Sequence, residues 1–168
     1  MYDVNVVTSP LPTDCGPTCL KMLLDYYGVD VDLDTLIREC NTRLIGCTGL
    51  DLKRVGNAHG LDLQAWGTND TDGSVDADGV LFIDRPAIIH WKFGHWCIYC
   101  GLDNGQAVII NPDRGKYHMS IGTFRSMYSG TFLTNGEPEE VPALPTPEER
   151  IAQLEDELAA AKILLGVE

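Results

Sequence analysis

The sequence predicts an α+β fold in which N-terminal helices pack on an antiparallel β-sheet and a C-terminal helical tail follows. Three observations predict it. Helical periodicity is confined to residues 15–59, short strand-like runs occupy residues 62–110, and a proline-rich acidic stretch separates that region from a final amphipathic segment. Helices first and strands afterwards is the order of an α+β domain, because a doubly wound sheet alternates the two. With 168 residues, 44% of them hydrophobic, the chain can build one core.

The elements follow in order. Leu20, Leu23, Leu24 and Tyr27 share one helical face, and Gly28 ends that helix. A second helix over 32–40 turns Leu33, Leu36 and Ile37 inward, and a third from Thr48 to His59 carries Leu50, Leu52, Val55 and Ala58 and is closed by Gly60. Runs rich in Val, Ile and aromatics then predict strands at 62–66, 79–83, 87–91, 96–101 and 106–110, with Asn104-Gly105 as a hairpin turn. The domain should end near Gly136. Pro138, Pro142, Pro145 and Pro147 make 137–147 an extended acidic linker, and Thr146-Pro147-Glu148-Glu149 is a capping box opening a helix over 148–168. Ile151, Leu154, Leu158, Ala161 and Leu165 form a short heptad stripe, suited either to docking on the chain's own domain or to self-association.

Charge narrows the partners. The net charge is -13, from 25 acidic and 12 basic residues, which opposes extended contact with nucleic acid or anionic lipid. Residues 137–168 hold nine of the acids and two of the bases, so more than half of that charge lies outside the predicted domain. No apolar run approaches the ~20 residues of a membrane span, and the start MYDVNVVTSP lacks the features of a secretory signal. A cytoplasmic location and six reduced cysteines are the expectation. No glycine-rich phosphate loop or dinucleotide fingerprint is present, so no cofactor is expected. The stretch NDTDGSVDADG fails the EF-hand template because Arg85 stands where the bidentate Glu belongs, and a solvated loop is the better reading.

The sharpest chemical feature is TDCGPTCL, residues 13–20. Cys15 stands where a proline-containing loop turns into a helix, and both the helix dipole and the free N–H groups there favour a thiolate. Cys19, one turn deeper, reads as a structural thiol. In PAIIHWKFGHWCIYCG, His95 begins a strand beside a turn, the position of a usable general base, whereas His90 lies inside an apolar run and reads as a core histidine. In IINPDRG, Asn111 and Asp113 stand where the next strand ends, and either could orient an imidazole. Cys, His, then Asn or Asp, each at the end of an element, is the logic of a thiol acyl-transfer triad. Cys97 and Cys100 have zinc-ligand spacing, but in a strand that spacing sends the two side chains to opposite faces, so no metal site is expected.

Together these parts resemble a known family. Cys-Gly-Pro with a downstream YYG, the stretch CTGLDLKRVGNAHGL, then PAIIHWKFGHW and I-N-P-x-x-G, closing at YSGTFL, are similar to the bacteriocin-processing, double-glycine leader peptidases of the papain-like clan, over about residues 13–133. The resemblance implies a papain-like fold, with Cys15 as nucleophile, His95 as base, Asn111 in the third position and Asp113 as the fallback. The family has Asp where Asn111 stands, and a Gln for its oxyanion hole where Ser9 stands; Gln64, Gln106 and Gln153 are the only glutamines. Ser9 or Thr13 is then the candidate replacement donor, beside the Cys15 N–H. A stand-alone cysteine peptidase acting on a peptide or protein substrate is the implied function. The alternatives are a catalytically weakened domain that binds a peptide or protein partner, and an amidase or acyltransferase using the same thiol.

Overall fold

The computed structural model describes residues 1–67 and 77–136. The acidic loop over most of its length, the 137–147 linker and the 148–168 helix with its self-association stripe lie outside the described residues. Three helices come first: α1 Cys15–Tyr26, α2 Leu33–Glu39 and α3 Gly49–Ala58. Gly28 follows α1 in the left-handed region at φ 78°, as its place after the apolar stripe predicts. Thr48 opens α3 with a full capping box: its hydroxyl accepts from Asp51 N–H while the Asp51 carboxylate accepts from Thr48 N–H.

Six strands form one antiparallel sheet in the order β1-β6-β2-β3-β4-β5: β1 Leu63–Gly67, β2 Ala87–Trp91, β3 His95–Asp103, β4 Gln106–Asn111, β5 Gly115–Ser120 and β6 Tyr128–Asn135. The predicted hairpin joins β3 to β4 through Asn104 and Gly105, both at positive φ. Two short helices, α4 Ala77–Leu81 and α5 Ile121–Met127, complete the described chain. The strand predicted at 79–83 is therefore corrected to the end of α4. The run does not keep a strand's alternation, since adjacent Val80 and Leu81 are both buried, with Phe82 exposed and Ile83 buried after them. The carbonyls there accept from tyrosine hydroxyls instead of a strand ladder, Tyr99 to Leu81 at 2.6 Å and Tyr2 to Ile83 at 2.9 Å.

The sheet is covered on both faces, which explains why β2, β3 and β4 read as continuous apolar runs. Ile88, Trp96, Ile98, Cys100, Val108 and Ile110 point into the core shared with α1, α2 and α3. Their neighbours Ile89, Trp91, Cys97, Tyr99, Ala107 and Ile109 point into a second core with Phe124 of α5 and Val80 of α4. Helix α1 is the hub of the first core, with Cys19, Leu20, Met22, Leu23 and Leu24 buried and β3, α2 and α3 against it. Full burial of each such leucine contributes about 1.5–3 kcal/mol.

Helix α3 reaches both β1 and α1 because Gly56 lacks a side chain: a Cβ there would overlap Leu63 and stand 3.2 Å from Leu20 Cδ1. Gly56→Ala is predicted to lower stability by about 1–3 kcal/mol, the cost of overpacking, read as a lower urea midpoint at unchanged slope.

Candidate active site

Three segments converge at one end of the sheet. The N-terminal segment is tied along it, with Tyr2 N–H donating to Cys100 O at 2.7 Å and Ser9 N–H donating to Pro112 O at 3.0 Å. A 3₁₀ turn, Pro12–Asp14, then leads into α1, whose first residue is Cys15. Gly16 lets this helix start approach the sheet closely: a Cβ there would overlap Cys47 Sγ and stand 3.2 Å from Trp96 Cδ1. Burial pushes the Cys15 thiol up from its ordinary value, the N–H groups of Trp96 and Gly16 favour its anion, and the Asp113 charge pushes it up again.

The second segment is the β2–β3 hairpin. Its turn closes with Gly94 at φ 82°, and Gly94 N–H donates to Trp91 O at 2.9 Å, so that His95 begins β3 directly opposite Trp91. The third is the β4–β5 turn, where Asn111 ends β4 opposite Gly115. Asn111 Oδ1 lies 3.2 Å from His95 Nε2 and also accepts from Asp113 N–H at 2.8 Å. An amide oxygen only accepts, so this contact assigns the ring proton to Nε2 and leaves Nδ1 able to take another. Asp113 Oδ2 stands farther from the same nitrogen, at 3.9 Å. The Phe93 ring, 64% exposed at the turn, stacks on the His95 ring at a centroid distance of 6.1 Å.

Two cavities meet at Gly94. One, about 310 Å³, contains His95 and Asn111 with Phe93, Asp113 and Tyr117. The other, about 290 Å³, contains Cys15 with Thr13, Leu44, Ile45, Cys47, His90 and Trp96. Leu44 and Ile45 are 97% and 94% exposed on the turn between Arg43 and Gly46, and they give the Cys15 cavity an apolar rim.

The structure thus brings His95 and Asn111 into contact, sets Asp113 just behind them, and puts Cys15 beneath the N–H of the residue after His95. Of the two oxyanion candidates, Thr13 lines the Cys15 cavity. The Ser9 hydroxyl instead donates to Thr18 Oγ1 at 3.1 Å, and Thr18 in turn donates to Asp14 O. Cys19 is fully buried, and burial holds its thiol well above the ordinary value. Cys97 and Cys100 lie in different cores on opposite faces of β3, each pushed up to about 12 by burial. All six cysteines are free thiols. The reading of His90 as a core histidine is corrected: its ring is half-buried and lines the Cys15 cavity. Sequence reasoning also missed Phe93 and the Leu44-Ile45 rim. A β2–β3 register would have found His90, since pairing Trp91 with His95 sets His90 opposite Trp96.

A cysteine at the start of a buried helix, with a sheet-borne histidine held by an asparagine in the adjoining cavity, fits the class of papain-like cysteine peptidase folds. The chain belongs to the Peptidase C39 family, whose model matches residues 3–140. Among its relatives, the colicin V secretion/processing ATP-binding protein CvaB of Escherichia coli is 25% identical over 130 residues, covering 77% of this chain and 18% of that protein. The lactococcin-G-processing and transport ATP-binding protein LagD of Lactococcus lactis is 25% identical over 120 residues, covering 71% of this chain and 17% of that protein. The chain therefore spans less than a fifth of the length of these relatives. Two solved structures share the fold. A double glycine motif protease from an AMS/PCAT transporter, in complex with the leader peptide, matches at TM-score 0.70 and 24% identity over 79% of this chain and 90% of that one. The peptidase domain of Streptococcus ComA matches at TM-score 0.67 and 23% identity over 79% and 97%. Among the described residues, no helix is long and apolar enough to cross a membrane.

Selective alkylation tests the site. Burial alone raises the Cys15 thiol, so ion pairing with His95 has to outweigh it. A thiolate–imidazolium pair predicts iodoacetamide labelling of Cys15 well below pH ~8.5, ahead of the other five thiols and mapped by mass spectrometry, whereas burial without such a pair predicts a midpoint above the ordinary value. In His95→Ala, the midpoint for Cys15 moves up towards or beyond the ordinary thiol range, because burial then acts without a proton acceptor.

Proposed function

We propose that the domain is a cysteine peptidase that hydrolyses a peptide bond through a thioester at Cys15, in the manner of leader-peptide processing. The observation that carries this reading is the His95 Nε2 to Asn111 Oδ1 contact beside a cysteine at a helix start. His95 Nδ1 takes the thiol proton as the sulfur attacks the carbonyl, and returns it to the leaving amine. Water then hydrolyses the thioester with the same imidazole as base. Asn111 holds the ring through a neutral hydrogen bond. The Cys15 N–H at the start of α1 and the Thr13 hydroxyl are the donors assigned to the oxyanion. The apolar rim at Leu44 and Ile45 favours an extended peptide as substrate, and the net acidic surface favours one that is basic or neutral.

A second reading is a weakened enzyme that mainly binds a peptide. The turning of the Ser9 hydroxyl to Thr18, where the family carries its glutamine, favours it.

One assay separates them: incubation with synthetic peptides carrying a Gly-Gly pair before the scissile bond, followed by mass spectrometry. Cys15→Ala abolishes cleavage, and His95→Ala slows it by about 10²–10⁴-fold. Asn111→Ala costs about 10- to 100-fold, matching the ~1.5–3 kcal/mol of a hydrogen bond to a charged ring, while Asp113→Asn has a smaller effect because its carboxylate stands farther off. Ser9→Gln raises turnover by about 100-fold if the oxyanion hole is the deficit. Uncleaved but bound peptide in both the parent and Ser9→Gln would establish the binding reading instead.

A further inference from the structure

His90 is the polar side chain of the Cys15 cavity that the acyl-transfer chemistry leaves unused. It stands opposite Trp96 in the β2–β3 ladder, and the two rings lean together at a centroid distance of 4.5 Å. Trp96 is itself fixed, since its Nε1–H donates to Cys47 O at 3.2 Å. The imidazole is held at its other edge by Ser129 Oγ, 3.0 Å from Nδ1. That hydroxyl oxygen also accepts from Thr131 N–H at 3.4 Å, and when it gives its own hydrogen to Nδ1 the ring proton stands on Nε2, the tautomer this inference uses. Burial, and the neighbouring His95, lower the His90 pKa and keep the ring neutral. No group among the described residues bonds Nε2. The ring is thus a preorganised donor, held by its tilted contact with the Trp96 indole on one side and by a hydroxyl on the other.

Its place in the cleft decides what it can bind. The acyl half of a cleaved peptide stays attached to Cys15, so it occupies the cavity that contains Cys15, while the leaving amine departs beside His95. His90 lines the first cavity, on the β2 side of Trp96, and Asn111 lines the second, on the β4 side of His95. We propose that His90 is a substrate-positioning residue whose Nε2–H donates a hydrogen bond to a backbone carbonyl of the peptide on the acyl side of the scissile bond. The inference rests on the peptidase reading above. It assigns to His90 no part in activating the thiol.

The experiment uses a synthetic peptide with a Gly-Gly pair before the scissile bond. Binding is measured on Cys15→Ala protein by calorimetry, and cleavage on protein with Cys15 intact. His90→Phe keeps the ring against Trp96 but removes the donor, and is expected to weaken binding about tenfold, the loss of one hydrogen bond of ~1.4 kcal/mol. In cleavage it raises KM with kcat retained, the mark of an interaction made equally in ground and transition states. His90→Gln supplies an amide N–H and recovers most of the loss. Ser129→Ala, which frees the tautomer, shows a smaller loss of the same kind. Iodoacetamide labels Cys15 at the parent rate in His90→Phe. The proposal is overturned if His90→Phe binds within twofold of its parent, if kcat rather than KM changes, or if labelling of Cys15 slows as in His95→Ala, since His90 would then act on the thiol. Loss of the native melting transition is checked first, and should His90→Phe not fold, His90→Gln and the ¹⁵N shifts of the parent ring decide: a proton on Nδ1 overturns the proposal. If the parent neither binds nor cleaves the peptide, the peptidase reading fails and this inference falls with it, whereas a peptide bound by the parent and indifferent to His90 overturns this inference alone.

Discussion

The site depends on how closely the start of α1 can approach β3, and that distance is set by the missing side chain of Gly16. A Cβ there would overlap the Cys47 sulfur from the loop before α3 and crowd the Trp96 indole of β3 at 3.2 Å, with a Leu52 methyl of α3 in ordinary contact at 3.4 Å. Each belongs to a different element, so one glycine registers helix, sheet and loop against each other. Cys15 precedes it and inherits that position, beneath the N–H of Trp96. The buried stripe of α1 supplies the driving force for this packing, and the glycine supplies the geometry.

Burial serves and opposes the chemistry together. It excludes water from the sulfur, which strengthens every hydrogen bond made to it, and it also disfavours the charged thiolate. A neutral asparagine in the third position adds to this tension, because the imidazolium then lacks the anionic neighbour that an aspartate would give. Asp113, behind Asn111, partly supplies that charge to the ring while raising the thiol. The same carboxylate therefore acts with opposite sign on the two members of the pair.

Much of this was legible in the sequence, for identifiable reasons. The helices follow from apolar spacing and from Gly28, Thr48 and Gly60, which impose their boundaries through backbone geometry. β2, β3 and β4 follow from runs long and apolar enough to be buried on both faces. β5 is hidden because Lys116 to Ser120 alternates with mostly polar residues at a sheet edge. β6 is hidden because Gly130, at φ 90° near the irregularity in its pairing with β2, interrupts the pattern of a strand that nonetheless lies between β1 and β2. Residues 79–83 misled because a short apolar run carries no period with which to tell helix from strand. In the candidate site, Cys15, His95 and Asn111 could be singled out from the sequence because each stands at the end of an element. His90 could not be, because its exposure depends on which face of β2 turns to the cleft, and only strand pairing decides that.

The pairing of Cys15 with β3 has a consequence for the life of the chain before it is folded. Cys15 and His95 lie eighty positions apart, and Asn111 a further sixteen. Closing so long a loop costs chain entropy before the non-local contacts offset it, and the histidine is presented only where β3 has paired. On the peptidase reading proposed above, a growing or partly folded chain therefore carries six ordinary thiols and no nucleophile activated by a histidine. On that reading, reactivity is a cooperative property of the finished domain, present only once the helix start has closed on the sheet.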